Sequence, residues 1–402
     1  MLKKVTLGLV ALVAIALIVF FAFAPRWADE SMNTIDGKAL IEVSDEARDL
    51  HASLTIVDLH SDTLMWDRDL SERSGRGHMD LPRLEEGNVA LQVFSSVTKT
   101  PRGQNYDGND SDTDNITPLV IGQMQPVRTW FSLLERSLYH AKKLDAAIAR
   151  SGNGIVPIES RSDIDGLLGR RRIKGNGLGA LLSIEGLHNL EGDPANLDQL
   201  YAAGFRMAGL VHFFDNALAG SMHGLERGGL TPMGKQVIGR MEDLGMVVDI
   251  AHCSHACVAD IIAMARRPVV SSHGGVQATC PVNRNLSDEE IRGVAKTGGI
   301  VGVGYWEGAV CDTSPRAVAK AMKHIRDLVG IEHVALGSDY DGATTVRFDT
   351  SQLVQVTQAL LDEGFSEDEI RAVMGGNAIR VLTAGLAPLS ESPAPSREEP
   401  AA

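Results

Sequence analysis

Eight short apolar runs, each separated from the next by a stretch with helical signals, constrain the fold of this chain more than any other feature. They are Thr55–His60, Ala90–Ser95, Ala180–Glu185, Arg206–His212, Val247–His252, Pro268–His273, Gly299–Gly304 and His333–Asp339. Most are apolar almost throughout, the pattern of parallel strands covered on both faces. Thr231-Pro232 gives an N-cap followed by Pro at the first helical position, and Gly245 ends that helix just before Val247. Ser287 with Glu290, and Ser366 with Glu369, are spaced as capping boxes. Eight strands joined by helical crossovers predict an α/β fold, a (β/α)8 TIM-like barrel. An open doubly wound sheet is the alternative, but no glycine-rich phosphate loop follows any run to favour it. One connection is enlarged, an insertion of roughly 80 residues after the second strand, from Val97 to Leu178. It holds the polar stretch GQNYDGNDSDTDN and, by its periodicity, a long helix around Met124–Arg150. That polar stretch lacks the spacing and closing Glu of a calcium loop and reads as a solvated loop.

The two ends differ from this body. Lys3 and Lys4 precede an uncharged apolar run from Val5 to Ala24, roughly 20 residues, the length a helix needs to cross a bilayer. The lysines put that end in the cytoplasm and the body on the extracytoplasmic side. Pro25 directly after Ala-Phe-Ala, with Arg26-Trp27 beyond, favours an uncleaved anchor over a removed signal peptide. The expected organisation is an anchor over residues 1–25, a polar linker over 26–43, the catalytic body over 44–386, and a Pro/Ser/Glu-rich disordered tail over 387–402.

Acidic residues outnumber basic ones, 52 against 38, for a net charge of −14. With no Lys/Arg stripe to meet phosphates, nucleic acid is excluded as a partner; a homodimer is compatible with the chain. Cys253, Cys257, Cys280 and Cys311 do not have zinc-ribbon spacing and read as buried thiols or one bridge, not as metal ligands.

The chemistry lies at the ends of the runs. In VDLHSDTL, Val57 to Leu64, His60 and Asp62 stand two residues apart, so an extended chain points both the same way. Four more runs end in Glu185, His212, His252 and His273, and a fifth in Asp339. In a barrel these ends converge on one mouth. His60, Asp62, Glu185, His252 and His273 exceed what one zinc with an open position needs and fit two metals sharing a carboxylate. His255 competes with His252, but His252 ends the strand, whereas His255 begins the following helix. Asp341 competes with Asp339, but it already lies in a Gly-flanked turn. His188 is a candidate support for Glu185.

Taken together, DLHSD, SIEG, LVHFFDN, VVDIAH, VVSSH, CPVNRNLSD, VALGSDYDG and GGNAIRVL resemble the membrane (renal) dipeptidases, binuclear zinc metallopeptidases of the amidohydrolase type. The resemblance runs through nearly the whole body. It implies two Zn2+ per chain bridged by Glu185, with His60 and Asp62 on one and His252 and His273 on the other. It also implies that His212 and Arg284 hold a dipeptide substrate and that Asp339 handles the proton, with a metal-bridging hydroxide as nucleophile. Two other readings fit less of the pattern. One is a binuclear amidohydrolase acting on a lactone, β-lactam or phosphoester, which would not need Arg284. The other is a non-catalytic metal- or peptide-binding protein, which would not need Asp339.

Overall fold

The computed structural model describes residues 2–152 and 154–386; the tail expected over 387–402 lies outside the described residues. Eight parallel strands form the frame: β1 (Ile56–Asp58), β2 (Val89–Val97), β3 (Leu178–Glu185), β4 (Phe205–Gly209), β5 (Val247–Asp249), β6 (Val270–Ser271), β7 (Ile300–Val303) and β8 (Val334–Leu336). Each pairs with the next in chain order, β2 pairs with β3 from Leu91↔Gly179 to Val97↔Glu185, and β8 closes onto β1 at Leu336↔Asp58. The sheet is therefore a closed (β/α)8 barrel, not an open doubly wound sheet.

Alternation along the strands divides the core in two. Val57, Leu91, Val93, Leu181, Met207, Val247, Val270, Ile300 and Ala335 belong to one cluster together with Ala378, Val381 and Leu382 of the helix Asn377–Gly385. Their neighbours Ile56, Phe94, Leu182, Ala208, Val248, Val301 and Leu336 belong to the larger cluster that joins the strands to the outer helices. Every strand thus buries both faces, which is why the runs read as continuously apolar. The helix signals are realised: Thr231 accepts from Gly234 N with Pro232 behind it, Gly245 takes φ 74° at the C-cap, and both capping boxes form.

Three features differ from the sequence reading. The strands are shorter than the apolar runs, stopping at Asp58, Gly209, Asp249, Ser271 and Leu336. The ladder ends because buried aspartates take over the backbone: Asp58 Oδ1 accepts from His60 N at 3.0 Å, and Asp249 Oδ1 accepts from Ala251 N at 3.0 Å. Such local turns compete directly with sheet pairing. In the insertion, the single helix expected around Met124–Arg150 is broken into Arg128–Phe131 and Leu133–Arg150. Ser132 is extended and caps the second helix by accepting from Glu135 N. The insertion also adds the strand Ile155–Pro157 to the lower edge of β3 and the helix Arg161–Lys174.

The third difference is at the N-terminus. One helix, Leu2–Met32, is long and apolar enough to cross a membrane, and it continues past Pro25 into the stretch expected as linker. Two polar residues there, Asp29 and Asn33, are buried. Asp29, 1% exposed, meets Arg68 Nε at 3.1 Å and Arg76 Nε at 2.7 Å. Asn33 Oδ1 accepts from Ala343 N at 3.0 Å, and Thr34–Ile35 pairs in parallel with Thr345–Val346. Composition alone makes 26–43 look like a linker because Asp29, Asn33 and Thr34 find partners far away in sequence.

Candidate metal centre and active site

The loops after the strands gather the ionisable residues at one end of the barrel. Glu185 ends β3, and the chain turns immediately at Gly186, φ 90°. A Cβ there would lie 2.5 Å from the His188 ring and 3.2 Å from His212 Cβ, so no larger residue fits. Glu185 Oε1 lies 2.7 Å from His252 Nε2, 3.2 Å from His273 Nε2 and 3.4 Å from His212 Nε2. Its other oxygen, Oε2, is 3.4 Å from His60 Nε2, which is 3.5 Å from Asp62 Oδ1 and 3.9 Å from Asp339 Oδ1. The carboxylate therefore presents one oxygen to His252 and His273 and the other to His60.

Three overlapping groups place candidate donor atoms within 4.8 Å of one another: His60, Glu185 and His273; Glu185, His212 and His252; His60, Asp62 and Asp339. All of these residues are buried, yet His60 Nε2, Asp62 Oδ1 and Glu185 Oε2 have no hydrogen-bond partner. Buried polar atoms left so are costly and rare. Unpaired lone pairs converging from imidazole and carboxylate are the donor set of a divalent cation, and so these residues fit a metal.

Electrostatics bind the group together. Burial opposes a charge on His60, but Glu185 and Asp62 beside it raise its pKa well above the usual imidazole value. Burial likewise opposes the charge on Glu185, and His212 and His60 outweigh it and hold the carboxyl well below its usual range. Burial and the nearby Glu185 push Asp62 up to about 6. Asp339 rises well above the carboxylate range, through burial first and then through Asp62 and Glu185. Burial and the Arg284 charge keep His252 strongly depressed, hence neutral; His273 is depressed by burial, then by His60 and Arg284.

Behind these residues lies a supporting layer that the sequence reading did not single out. Ser272 Oγ donates to Asp249 Oδ2 at 2.5 Å and faces His273 Nδ1 at 2.9 Å. With its hydroxyl proton committed to the carboxylate, Ser272 accepts from His273 Nδ1–H, which leaves the Nε2 lone pair turned to Glu185. Asp58 after β1 holds backbone instead, accepting from Ser338 N as well as from His60 N. The signal for both was available, an aspartate two or three residues before a histidine in DLH and DIAH. Two site residues adopt left-handed backbone, His252 at φ 65° and Asp339 at φ 58°. Non-glycine residues rarely do so, and such strain concentrates at functional sites.

The cluster floors a cavity of about 970 Å³ lined also by Arg284, Tyr106 and Trp306. Arg284 is 2% exposed, donates from Nη2 to the His273 carbonyl at 3.0 Å, and lies 5.6 Å over the Trp306 ring. Trp306 Nε1 donates to Tyr106 Oη at 3.0 Å. Tyr106 comes from the polar loop of the insertion, where no pattern marked it. His255 is half exposed and pairs with Glu290 at 2.6 Å, outside the cluster. Asp341 is fully buried against Arg68 at 2.7 Å, whereas Asp339 lines the cavity. His188 hydrogen-bonds to Thr98 at 2.9 Å rather than to Glu185. Cys280 and Cys311 form a disulfide, Cys253 and Cys257 are free and buried, and none is in the donor groups.

Comparison with known proteins fits this geometry. Dipeptidase aclJ of Aspergillus oryzae is 30% identical over 316 residues, covering 76% of this chain and 69% of the relative. Dipeptidase verJ of Clonostachys rogersoniana is 27% identical over 312 residues, covering 76% and 75%. Among solved structures, the probable dipeptidase PvdM from Pseudomonas aeruginosa superposes with a TM-score of 0.71 at 21% identity, over 85% of this chain and 97% of that one. A metallo peptidase from Rhodobacter sphaeroides, liganded with a phosphinate mimic of the dipeptide L-Ala-D-Ala, gives 0.64 at 19% identity, over 83% and 99%. The sequence profile of the membrane dipeptidases (Peptidase family M19) matches residues 44–389, strand ends and barrel included, so the chain belongs to the membrane dipeptidase family and is a metallo-dipeptidase.

Proposed function

We propose that this chain is a two-zinc dipeptidase tethered by its N-terminal helix, with the catalytic body over residues 44–386 on the extracytoplasmic side. The observation that carries the reading is the split of Glu185, Oε1 toward His252 and His273 and Oε2 toward His60. In this reading His60 and Asp62 would hold one Zn2+ and His252 and His273 the other, with Glu185 shared between them. Bound in this way, two zinc ions supply Lewis acidity, which brings the pKa of water near neutrality so that hydroxide is available, and polarises a carbonyl.

The remaining work falls to the chain's own groups. Arg284 offers a planar fork to the substrate's C-terminal carboxylate. A free carboxylate one residue beyond the scissile bond restricts cleavage to the last peptide bond of a chain, which in a dipeptide is its one peptide bond. His212 donates from its imidazole to the oxyanion of the tetrahedral state. Asp339, on the cavity wall 3.9 Å from His60, takes the proton of the nucleophile and delivers it to the departing amine. The Cys280–Cys311 disulfide is in keeping with an oxidising compartment outside the cytoplasm.

The test is metal analysis of the purified protein beside turnover of a dipeptide panel with and without chelator. His60→Ala is expected to lose metal, and Asp339→Asn to keep it while kcat falls about 10²- to 10⁴-fold. Metal bound with no turnover of any dipeptide refutes the reading.

A further inference from the structure

Folding leaves a small set of large apolar side chains in water. Outside the N-terminal helix those among the described residues are Ile35, Leu40, Met124, Val127, Phe131, Ile173 and Leu225. Met124, Val127 and Phe131 fall in one short stretch of the insertion and are 72%, 59% and 83% exposed. Met124 also holds φ 53°, a left-handed conformation that Gly or Asn adopts more easily. The chain thus keeps a large apolar residue where both solvation and backbone favour a small or polar one.

Position explains the set. The stretch directly follows the helix Ile116–Gly122, which packs on the N-terminal helix. A Cβ at Gly122 would lie 2.9 Å from Pro25 Cγ and 3.4 Å from Phe20 Cζ. Phe20 belongs to the apolar run that ends at Ala24; at about 1.5 Å rise per residue it lies roughly 6 Å inside that end. A run of roughly 20 residues just spans the hydrocarbon core, so Gly122 stands level with its outer edge. The body therefore cannot hang clear of the bilayer on a tether. Trp27, 70% exposed, and Arg26 occupy the adjoining level, where Trp and Arg commonly mark a membrane interface.

We propose that residues 124–131 are a second membrane contact. Met124, Val127 and Phe131 enter the boundary between headgroups and acyl chains of the bilayer that the N-terminal helix crosses. The inference rests on reading that helix as an uncleaved anchor. Because Ala28, Met32, Ile116 and Leu119 of the same helix pair also line the catalytic cavity, seating this patch fixes how the cavity mouth stands to the membrane.

The test uses the full chain in phosphatidylcholine/phosphatidylglycerol vesicles, with an environment-sensitive fluorophore on a single introduced cysteine. Cys253 and Cys257 are buried and Cys280 is bonded to Cys311, so native thiols do not compete for the label. Labels on Leu12→Cys, Val127→Cys, Phe131→Cys and Ile173→Cys are challenged with lipids carrying a quencher high on the acyl chain and, for residue 12, which lies near the bilayer midplane, with a quencher near the end of that chain. Quenching of at least twofold at 12, 127 and 131, with none at 173, is the expected result. Quenching at 12 with 127 and 131 as silent as 173 overturns the seating and leaves the anchor standing; a second copy of the chain covering the patch gives this outcome. No quenching at 12 removes the anchor and the seating with it.

Discussion

Replacing Arg284 by lysine is the sharpest test of the substrate assignment, because it keeps the charge and removes the fork. The guanidinium is 2% exposed and gives one hydrogen bond, from Nη2 to the His273 carbonyl at 3.0 Å. Its other donors face the cavity that Glu185 and Asp339 line. A hydrogen bond to a charged partner contributes about 1.5–3 kcal/mol, and a lysine in this place retains one contact to a carboxylate where arginine makes two. Loss of one such bond lowers kcat/KM by roughly 10- to 150-fold; Arg284→Met, which loses both bonds and the charge, should cost more than 10³-fold. The assay pairs a dipeptide with its C-terminal amide, which has no carboxylate to bind. Wild type should prefer the dipeptide strongly, and the Lys variant should lose most of that preference with little change on the amide. Zinc content, measured in parallel, guards against disturbance through the His273 carbonyl. Equal losses on dipeptide and amide at unchanged metal content, or a change under threefold on both, would refute the assignment and favour an amidohydrolase for substrates without a carboxylate.

Three further outcomes follow from the geometry. Ser272→Ala removes the hydroxyl between Asp249 and His273 and should weaken metal binding by about 10- to 100-fold in chelator competition, with kcat recovering at saturating zinc. Arg68→Ala leaves Asp29 and Asp341, both buried, short of their shared cation. A loss of about 3–5 kcal/mol, read as a lowered Tm, is expected. His140 is buried against Ser96, and burial depresses its pKa to about 3. The unfolded chain takes up a proton as pH falls below about 6.5 and the folded one does not, so stability is full above that pH and lost below it, down to about 3. His140→Gln should flatten the pH dependence of urea stability between pH 6 and 4 by about 1.4 kcal/mol per pH unit.

The barrel was legible because parallel strands buried on both faces write themselves as apolar runs, and the chemistry was legible because six of the eight runs stopped at an ionisable residue. Where the ladder ends was not legible. His60, His212, His252, His273 and Asp339 stand two or three residues past their strands, since Asp58 and Asp249 draw the backbone away from the sheet and the left-handed turns at His252 and Asp339 re-aim it. A hydropathy pattern records burial, and these residues are buried whether the backbone is paired or not. Tyr106 was invisible for a different reason. Its neighbours in sequence are polar and solvated, and its place beside Trp306 depends on a loop that docks on distant parts of the chain, His223 and Asn283 among them. The same holds for Asp29 and Asn33, whose partners Arg68 and Ala343 are remote in sequence.

Those remote partners connect the two halves of the function. Arg68 pairs at once with Asp29 on the N-terminal helix and with Asp341, two residues after Asp339. Asn33 accepts from Ala343, and Thr34–Ile35 pairs with Thr345–Val346. The loop that carries Asp339 is thus clamped on its outer side by the end of the apolar helix, through an ion pair, a side-chain hydrogen bond and a short ladder. Asp339, Asp341 and Ala343 all have left-handed backbone, at φ 58°, 63° and 59°, and three such non-glycine residues in so short a segment persist only where the surroundings over-determine them. The helix end supplies one side of that determination, and Thr63, Trp66 and His78 of the body hold Asp341 from the other. Cutting the chain at residue 44 to obtain a soluble enzyme would remove Asp29, Asn33 and the Thr34–Ile35 strand together with the apolar run. The strain at Asp339 would then be held from one side only, and turnover would suffer even with the metal ligands intact.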